Sequence, residues 1–196
     1  PAAVYINNVP SAGETTASVE ESYIHSNWGP GVKISATTDA LFIERNVMHD
    51  NALTNIFIDS SRDVEIKKNF IFRASSTFDN TSGEAPRAIL LENTLGTSSL
   101  SLKNILISNN IAGLGLSHGI EYIDTNNGYE DVFLYFNTFI DFTDTPILFA
   151  DDNSGATTNN EMFNNITFTG AVSGSIISVG TNDRSSWTFA NNNWAD

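Results

Sequence analysis

Apolar residues recur in a fixed phase along the chain. Written from its first apolar position, the unit is Φ-x-Φ-x-x-Asn-x-Φ, where Φ is apolar. It reads Leu41, Ile43, Asn46, Met48, and again Val64, Ile66, Asn69, Ile71. Further copies are Ile105, Ile107, Asn110, Ala112; Val132, Leu134, Asn137, Phe139; and Trp187, Phe189, Asn192, Trp194. Asn160, Met162, Asn165, Thr167 is a weaker copy, and Ala17, Val19, Ser22, Ile24 carries Ser in place of Asn. The six Asn are 23, 41, 27, 28 and 27 residues apart, which is the period range of solenoids. Within each unit the apolar period is two, so the units predict strands and not helices.

A short strand is expected before each copy, at Val32–Ile34, Ile56–Ile58, Ile89–Leu91, Ile120–Tyr122, Ile147–Phe149 and over 176–179. Three short strands per unit predict a three-sided coil whose turns stack in parallel, about 4.8 Å apart. The repeated Asn is expected at the tight turn between second and third strands. Asn tolerates the left-handed backbone of such a turn, and its amide can bond the amide one coil away. Asn46, Asn69, Asn110, Asn137, Asn165 and Asn192 are therefore expected to form a ladder. Asn165-Ile166-Thr167 also reads as a glycosylation sequon, but a stacked side chain cannot carry a glycan; Asn80-Thr81-Ser82 is the better acceptor.

This repeat resembles the right-handed parallel β-helix, the pectate-lyase-like superfold, over roughly residues 17–194. The resemblance implies an all-β solenoid of about seven coils as a single domain over 1–196. An edge strand and loop would precede it at 1–16, and inserted loops would lie at 74–87, 93–103, 125–130 and 151–160. The superfold houses lyases, hydrolases, epimerases, tailspikes and adhesins, so it implies no single activity. No catalytic signature of any enzyme family is present to carry over.

Composition narrows the partners. The 196 residues suffice for a sizeable core, and the chain has no Cys. The net charge of −14 argues against nucleic acid and anionic membranes, and an acidic polysaccharide would need a bridging cation. No apolar run is long enough to span a membrane. Few charges and many Asn, Ser, Thr and Gly suit an exported protein, at the cell surface or outside it. The chain begins at Pro1, which is read as a mature or excised form. A solenoid cut at both ends would expose unpaired edges there, so fragment origin or end-stacking on neighbouring subunits is expected.

Eight of the nine Lys and Arg lie between Lys33 and Lys103, and eleven acids face one Arg from residue 104 onward. Glu130-Asp131 and Asp151-Asp152 are the densest carboxylate pairs of that half, and their oxygens would suit Ca²⁺. If Val32 and Ile34 point inward, Lys33, Phe57, Leu90, Glu121 and Leu148 form one outward column, and Ser35, Asp59, Glu92, Ile123 and Ala150 its neighbour. Asp59 and Glu92 would then lie one coil apart, a spacing at which two carboxylates can share a proton or cation. Lys33, Asp59, Glu92 and Glu121 are accordingly the candidate catalytic groups for glycoside hydrolysis or uronate elimination, and Phe57 and Arg87 candidate binding groups. The alternative is that these carboxylates merely end their strands.

His25 and His49 fall at a similar phase of successive coils, near Asp50, and suggest a base or metal site; His118 stands apart. The outward positions of the third strand are mostly apolar: Phe70, Phe72, Ile111, Ile140, Ile166 and Phe168. A sheet apolar on both faces is normally covered on both, so these six are expected under a second layer or another subunit. Two functions follow. One is an extracellular module that binds or cleaves polysaccharide through the first-strand face. The other is a structural filament, adhesin or tailspike-like subunit that assembles with copies of itself through coil ends and the third-strand face.

Overall fold

The fold is taken from a computed structural model, which describes residues 2–7, 16–38, 40–75, 85–94, 102–124, 128–149, 157–168, 175–180 and 183–195. It is an all-β parallel solenoid with three faces, each a seven-stranded parallel sheet. The first sheet stacks Val4–Asn7, Val32–Ser35, Thr54–Asp59, Arg87–Asn93, His118–Asp124, Ile147–Phe149 and Ile177–Val179. The second stacks Ala17–Glu20, Leu41–Glu44, Arg62–Lys67, Leu102–Ser108, Tyr129–Tyr135, Asn160–Phe163 and Trp187–Ala190. The third stacks the three-residue strands starting at Tyr23, Val47, Phe70, Ile111, Thr138, Ile166 and Asn193. A 3-10 turn at Arg184–Ser186 is the one helical element among the described residues.

The interior rungs make about five turns stacked on both sides; the first and last rung of each sheet are stacked on one side only, short of seven equivalent coils. The Val4–Asn7 strand, whose register the repeat leaves open, pairs residue for residue with Val32–Ser35. Strands also reach further into the expected loops than the repeat suggests: Arg87, Leu102 and Tyr129 each begin a strand.

In the interior rungs the inward positions of the repeat lie where alternation puts them, while Phe189, in the last rung, is exposed. Val32, Ile34, Ile43, Ile56, Ile58, Val64, Ile66, Ile105 and Ile107 are fully buried along the axis. Each such side chain contributes on the order of 1.5–3 kcal/mol of burial. Toward the C-terminal rungs the aliphatic column gives way to rings. Tyr122, Tyr129, Phe149 and Trp187 pack at centroid distances of 4.4–6.0 Å, and the Trp187 indole N–H donates to the Tyr129 hydroxyl at 2.9 Å.

The Asn ladder runs through six coils. Asn46, Asn69, Asn110, Asn137 and Asn165 each donate an Nδ2–H to the Oδ1 of the next ladder Asn at 3.0 Å. The second Nδ2–H of each goes back to a carbonyl of the preceding coil, as from Asn110 to Ile66 at 2.8 Å. Each Oδ1 also accepts the backbone N–H of the ladder residue below it, beginning with Ser22. An interior amide thus uses both donors and both acceptor sites, its full capacity. Asn165 is wholly buried in this array, which leaves no room for a glycan.

One expectation about the corner is corrected. The left-handed residue is the one before each ladder position: Glu21, Arg45, Lys68, Asn109, Phe136, Asn164 and Asn191, with φ of 50–57°. Asn is therefore placed for its amide and not for its backbone tolerance. A smaller Asn pair, absent from the repeat reading, sits at the corner between third and first sheets, where Asn27 donates to Asn51 at 2.6 Å.

Candidate functional site

The outward columns of the first sheet are those the alternation predicts. Tyr5, Lys33, Phe57, Leu90, Glu121, Leu148 and Ser178 are successive partners, and so are Ser35, Asp59, Glu92 and Ile123. Asp59 and Glu92 are thus neighbours in register. The environment of Asp59, however, is that of a structural anchor. It is buried, and its carboxylate accepts from Ser35 Oγ at 3.2 Å, Ser60 Oγ at 2.9 Å, and Thr94 N and Oγ1 at 3.1 and 2.8 Å. These four donors tie the end of one strand to the segment after another.

Glu121 is buried too, in an ion pair with the equally buried Arg87, whose Nη1 also donates to the Ala85 carbonyl at 3.1 Å. Arg87, expected as a binding group, thus sits under the surface. Lys33 and Phe57 do come together: the ammonium lies 4.4 Å from the Phe57 ring centroid and 5.9 Å from that of Tyr5. These three side chains line a shallow cleft of about 380 Å³.

The second sheet carries an aromatic surface that reading only the first and third faces misses. Its outward column runs Phe42, Glu65, Leu106, Phe133, Glu161, and the next Glu44, Lys67, Ser108, Tyr135, Phe163. The rings of Phe133 and Tyr135, and of Tyr135 and Phe163, lie 5.8 Å apart and within 27° of parallel. The Tyr135 hydroxyl donates to the Glu161 carboxylate. Burial first, and then that bond, push the Tyr135 hydroxyl above its usual range, so it stays protonated. Lys67 pairs with Glu65 and lies 5.6 Å from the Phe42 centroid. Phe42, Asp63, Glu65, Asn104, Phe133 and Tyr135 line a cleft of about 530 Å³ across four rungs. The sequence signal was present at the x of Φ-x-Φ, which is apolar at Phe42, Leu106 and Phe133.

The edge of this cleft is a column of left-handed residues. Asp63, Asn104, Asp131 and Asn159 all adopt the left-handed backbone, φ 55–56°, in the middle or at the start of their strands. Asn104 donates to Asp63, and Asn159 to Asp131 at 2.6 Å. Glu130 accepts from Lys103 at 2.9 Å, which raises the lysine pKa, and Asp131 lies 3.7 Å from the same ammonium. The expected Ca²⁺ ligands Glu130 and Asp131 are therefore engaged by a lysine and an amide; Asp151 and Asp152 lie outside the described residues. Among the described residues, no three His, Cys, Asp or Glu converge as a metal site.

On the third sheet, His25 pairs with His49 in register, and their rings stack at 5.0 Å and 8°. The His49 Nδ1 is 2.8 Å from Asp50 Oδ2, and its Nε2 is 2.6 Å from the Tyr23 hydroxyl. Tyr23 has no counterpart in the sequence reading. His118 is remote, with Nδ1 on the Thr145 carbonyl at 2.7 Å. Further along the same face Phe70, Ile111, Ile166 and Phe168 are exposed, and Phe72 and Ile140 half-buried. Gly113 interrupts the column because a Cβ there would meet the Ile140 carbonyl oxygen at 1.7 Å.

No helix among the described residues is long and apolar enough to cross a membrane. Comparison with protein-family models, with curated proteins and with solved structures found no match; the architecture itself is a parallel β-solenoid with three parallel sheets.

Proposed function

We propose that this chain is a carbohydrate-binding solenoid, whose ligand lies along the outer face of the second sheet. The observation that carries this reading is the near-parallel row Phe133, Tyr135, Phe163 beside a cleft edged by Asp63, Glu65 and Asn104. Flat rings offer their faces to the C–H faces of pyranoses, while carboxylate and amide groups at the edge take hydroxyls. Four rungs span three spacings, about 14 Å, a length suited to a short run of an extended glycan. Binding is favoured over cleavage because Asp59, one member of the Asp59–Glu92 pair, and Glu121 are buried and held by neighbouring donors. The acidic edge favours uncharged sugars over uronates. A ligand of this kind is met outside the cell or at its surface, and the proposal extends to that location.

Affinity electrophoresis and titration calorimetry against neutral glucans, xylans and polygalacturonate test the reading. Neutral chains should retard the protein, and Phe133→Ala or Tyr135→Ala should each weaken binding about tenfold, the scale of one stacked ring. Phe168→Ala, on the third sheet, should change nothing. Retention unaffected by either ring variant would refute the assignment of the face.

A second reading rests on Phe70, Ile111, Ile166 and Phe168, which no described segment covers. An apolar stripe of this kind is a lateral contact between copies of the chain. Sedimentation should show association that Ile111→Ser with Phe168→Ser abolishes.

A further inference from the structure

The corner of the third sheet near Tyr23 holds an arrangement that glycan binding does not use. A hydroxyl, an imidazole and a carboxylate are joined in series. Asp50 comes first. Its Oδ1 accepts the backbone N–H groups of Ala74 and Ser75, both at 2.8 Å, and its Oδ2 faces His49 Nδ1 at 2.8 Å. Burial pushes the Asp50 carboxyl up, but the bonds from Ser75, His49 and Ala74 outweigh it and hold the pKa below the ordinary carboxylate value. Asp50 is therefore an anion that only accepts, and His49 must carry its proton on Nδ1. In neutral His49 the Nε2 lone pair is then directed at the Tyr23 hydroxyl, 2.6 Å away.

The imidazole is also held mechanically. It is buried between the His25 ring at 5.0 Å and the Phe72 ring at 4.7 Å, both within 20° of parallel. Tyr23, by contrast, is 63% exposed. A nucleophile within hydrogen-bond reach of a base that a third group orients is the arrangement that activates weak nucleophiles. Tyr5 supplies a comparison on the same protein. It is 57% exposed, and its recorded neighbour is the Lys33 ammonium at 5.9 Å, not an imidazole.

We propose that Tyr23 is a nucleophilic hydroxyl that takes an acyl group from activated esters, with His49 as its general base and Asp50 positioning His49. In the step, Tyr23 Oη attacks the ester carbonyl and forms the new O–C bond. Its proton passes to His49 Nε2. The C–O bond to the leaving alcohol breaks, and that alcohol departs with the proton held by His49. The products are O-acyl-Tyr23 and a free alcohol, with no oxidant or reductant required.

The test treats the full chain with 4-nitrophenyl acetate, follows nitrophenolate release, and locates acetyl groups by peptide mass spectrometry. Tyr23 should acetylate about 100-fold faster than Tyr5, the lower end of what a positioned base contributes. His49→Phe keeps a ring between His25 and Phe72 and should bring Tyr23 down to the Tyr5 rate. Asp50→Asn should slow Tyr23 acetylation, and Asp50→Glu, which restores a carboxylate, should recover it in part; a merely structural corner would favour the isosteric Asn over the longer Glu. Among the described residues, the titratable groups against His49 are Asp50, Tyr23 and His25. Equal rates at Tyr23 and Tyr5, a Tyr23 rate that survives His49→Phe, or acetylation at His25 or Ser26 instead of Tyr23 would each overturn the proposal.

Discussion

Removing one ladder amide from the middle of the solenoid should cost far more than removing one from its end. Asn110 is buried and makes four side-chain bonds. It accepts from the Asn69 backbone N–H and Nδ2, both at 3.0 Å, and donates to Asn137 Oδ1 at 3.0 Å and the Ile66 carbonyl at 2.8 Å. Asn110→Ala deletes all four and strands buried partners on both neighbouring coils. At about 1 kcal/mol per net hydrogen bond, the loss is roughly 3–5 kcal/mol. Asn192 makes three such bonds, to Asn165 N, Asn165 Nδ2 and the Met162 carbonyl, in a half-exposed site, and Asn192→Ala should cost roughly 1–2 kcal/mol. Asn110→Asp separates hydrogen bonding from shape. Its second oxygen would face two acceptors, so the folded pKa rises above the ordinary value. The penalty relative to Asn110→Ala is then absent below about pH 4 and grows as pH rises toward the folded pKa. Urea unfolding at pH 4 and pH 7 reads the totals. Native-state hydrogen exchange reads whether the two halves uncouple, as nearest-neighbour stability requires. Equal losses at Asn110 and Asn192, or an Asp variant indifferent to pH, would refute the ladder as a source of stability.

Three further outcomes follow from single sites. Phe136 holds φ 57° with a bulky side chain that is 57% exposed, so Phe136→Asn should raise the free energy of unfolding by up to about 1 kcal/mol. Thr167 is fully buried and its hydroxyl has no hydrogen-bond partner among the described residues, so Thr167→Val should stabilise by about 1 kcal/mol in the same assay. The contribution of Asp50, whose folded pKa is depressed, should be fully present above the ordinary carboxylate pKa and lost as pH falls through the lower folded value. Acid titration of Asp50→Asn should therefore show a shallower loss of stability than the parent.

The architecture was legible because two signals with different physical origins coincide. Alternation at Val64 and Ile66 fixes which side faces the core, and Asn69 fixes the phase of the corner. The left-handed residue was not legible, since Arg45, Lys68 and Phe136 adopt that backbone without any composition signature; the ladder amide after them over-determines the turn. Register put Asp59 beside Glu92 as expected, yet the fate of Asp59 depended on Ser60 and Thr94, which lie outside the strand repeat. The proximity of His25, His49 and Asp50 was readable from their shared phase. The part Tyr23 plays was not, because it depends on a rotamer reaching diagonally across to the next strand.

The ladder also has a direction. Every bridging N–H from Asn46 to Asn165 points toward the C-terminal rung, and every matching oxygen points back. The column is therefore polar at each interior corner, which gives a side-chain hydrogen bond on its C-terminal side and receives one on its N-terminal side. A molecule continuing the column must match that polarity, so head-to-tail growth is compatible with it. A two-fold symmetric junction would set like against like.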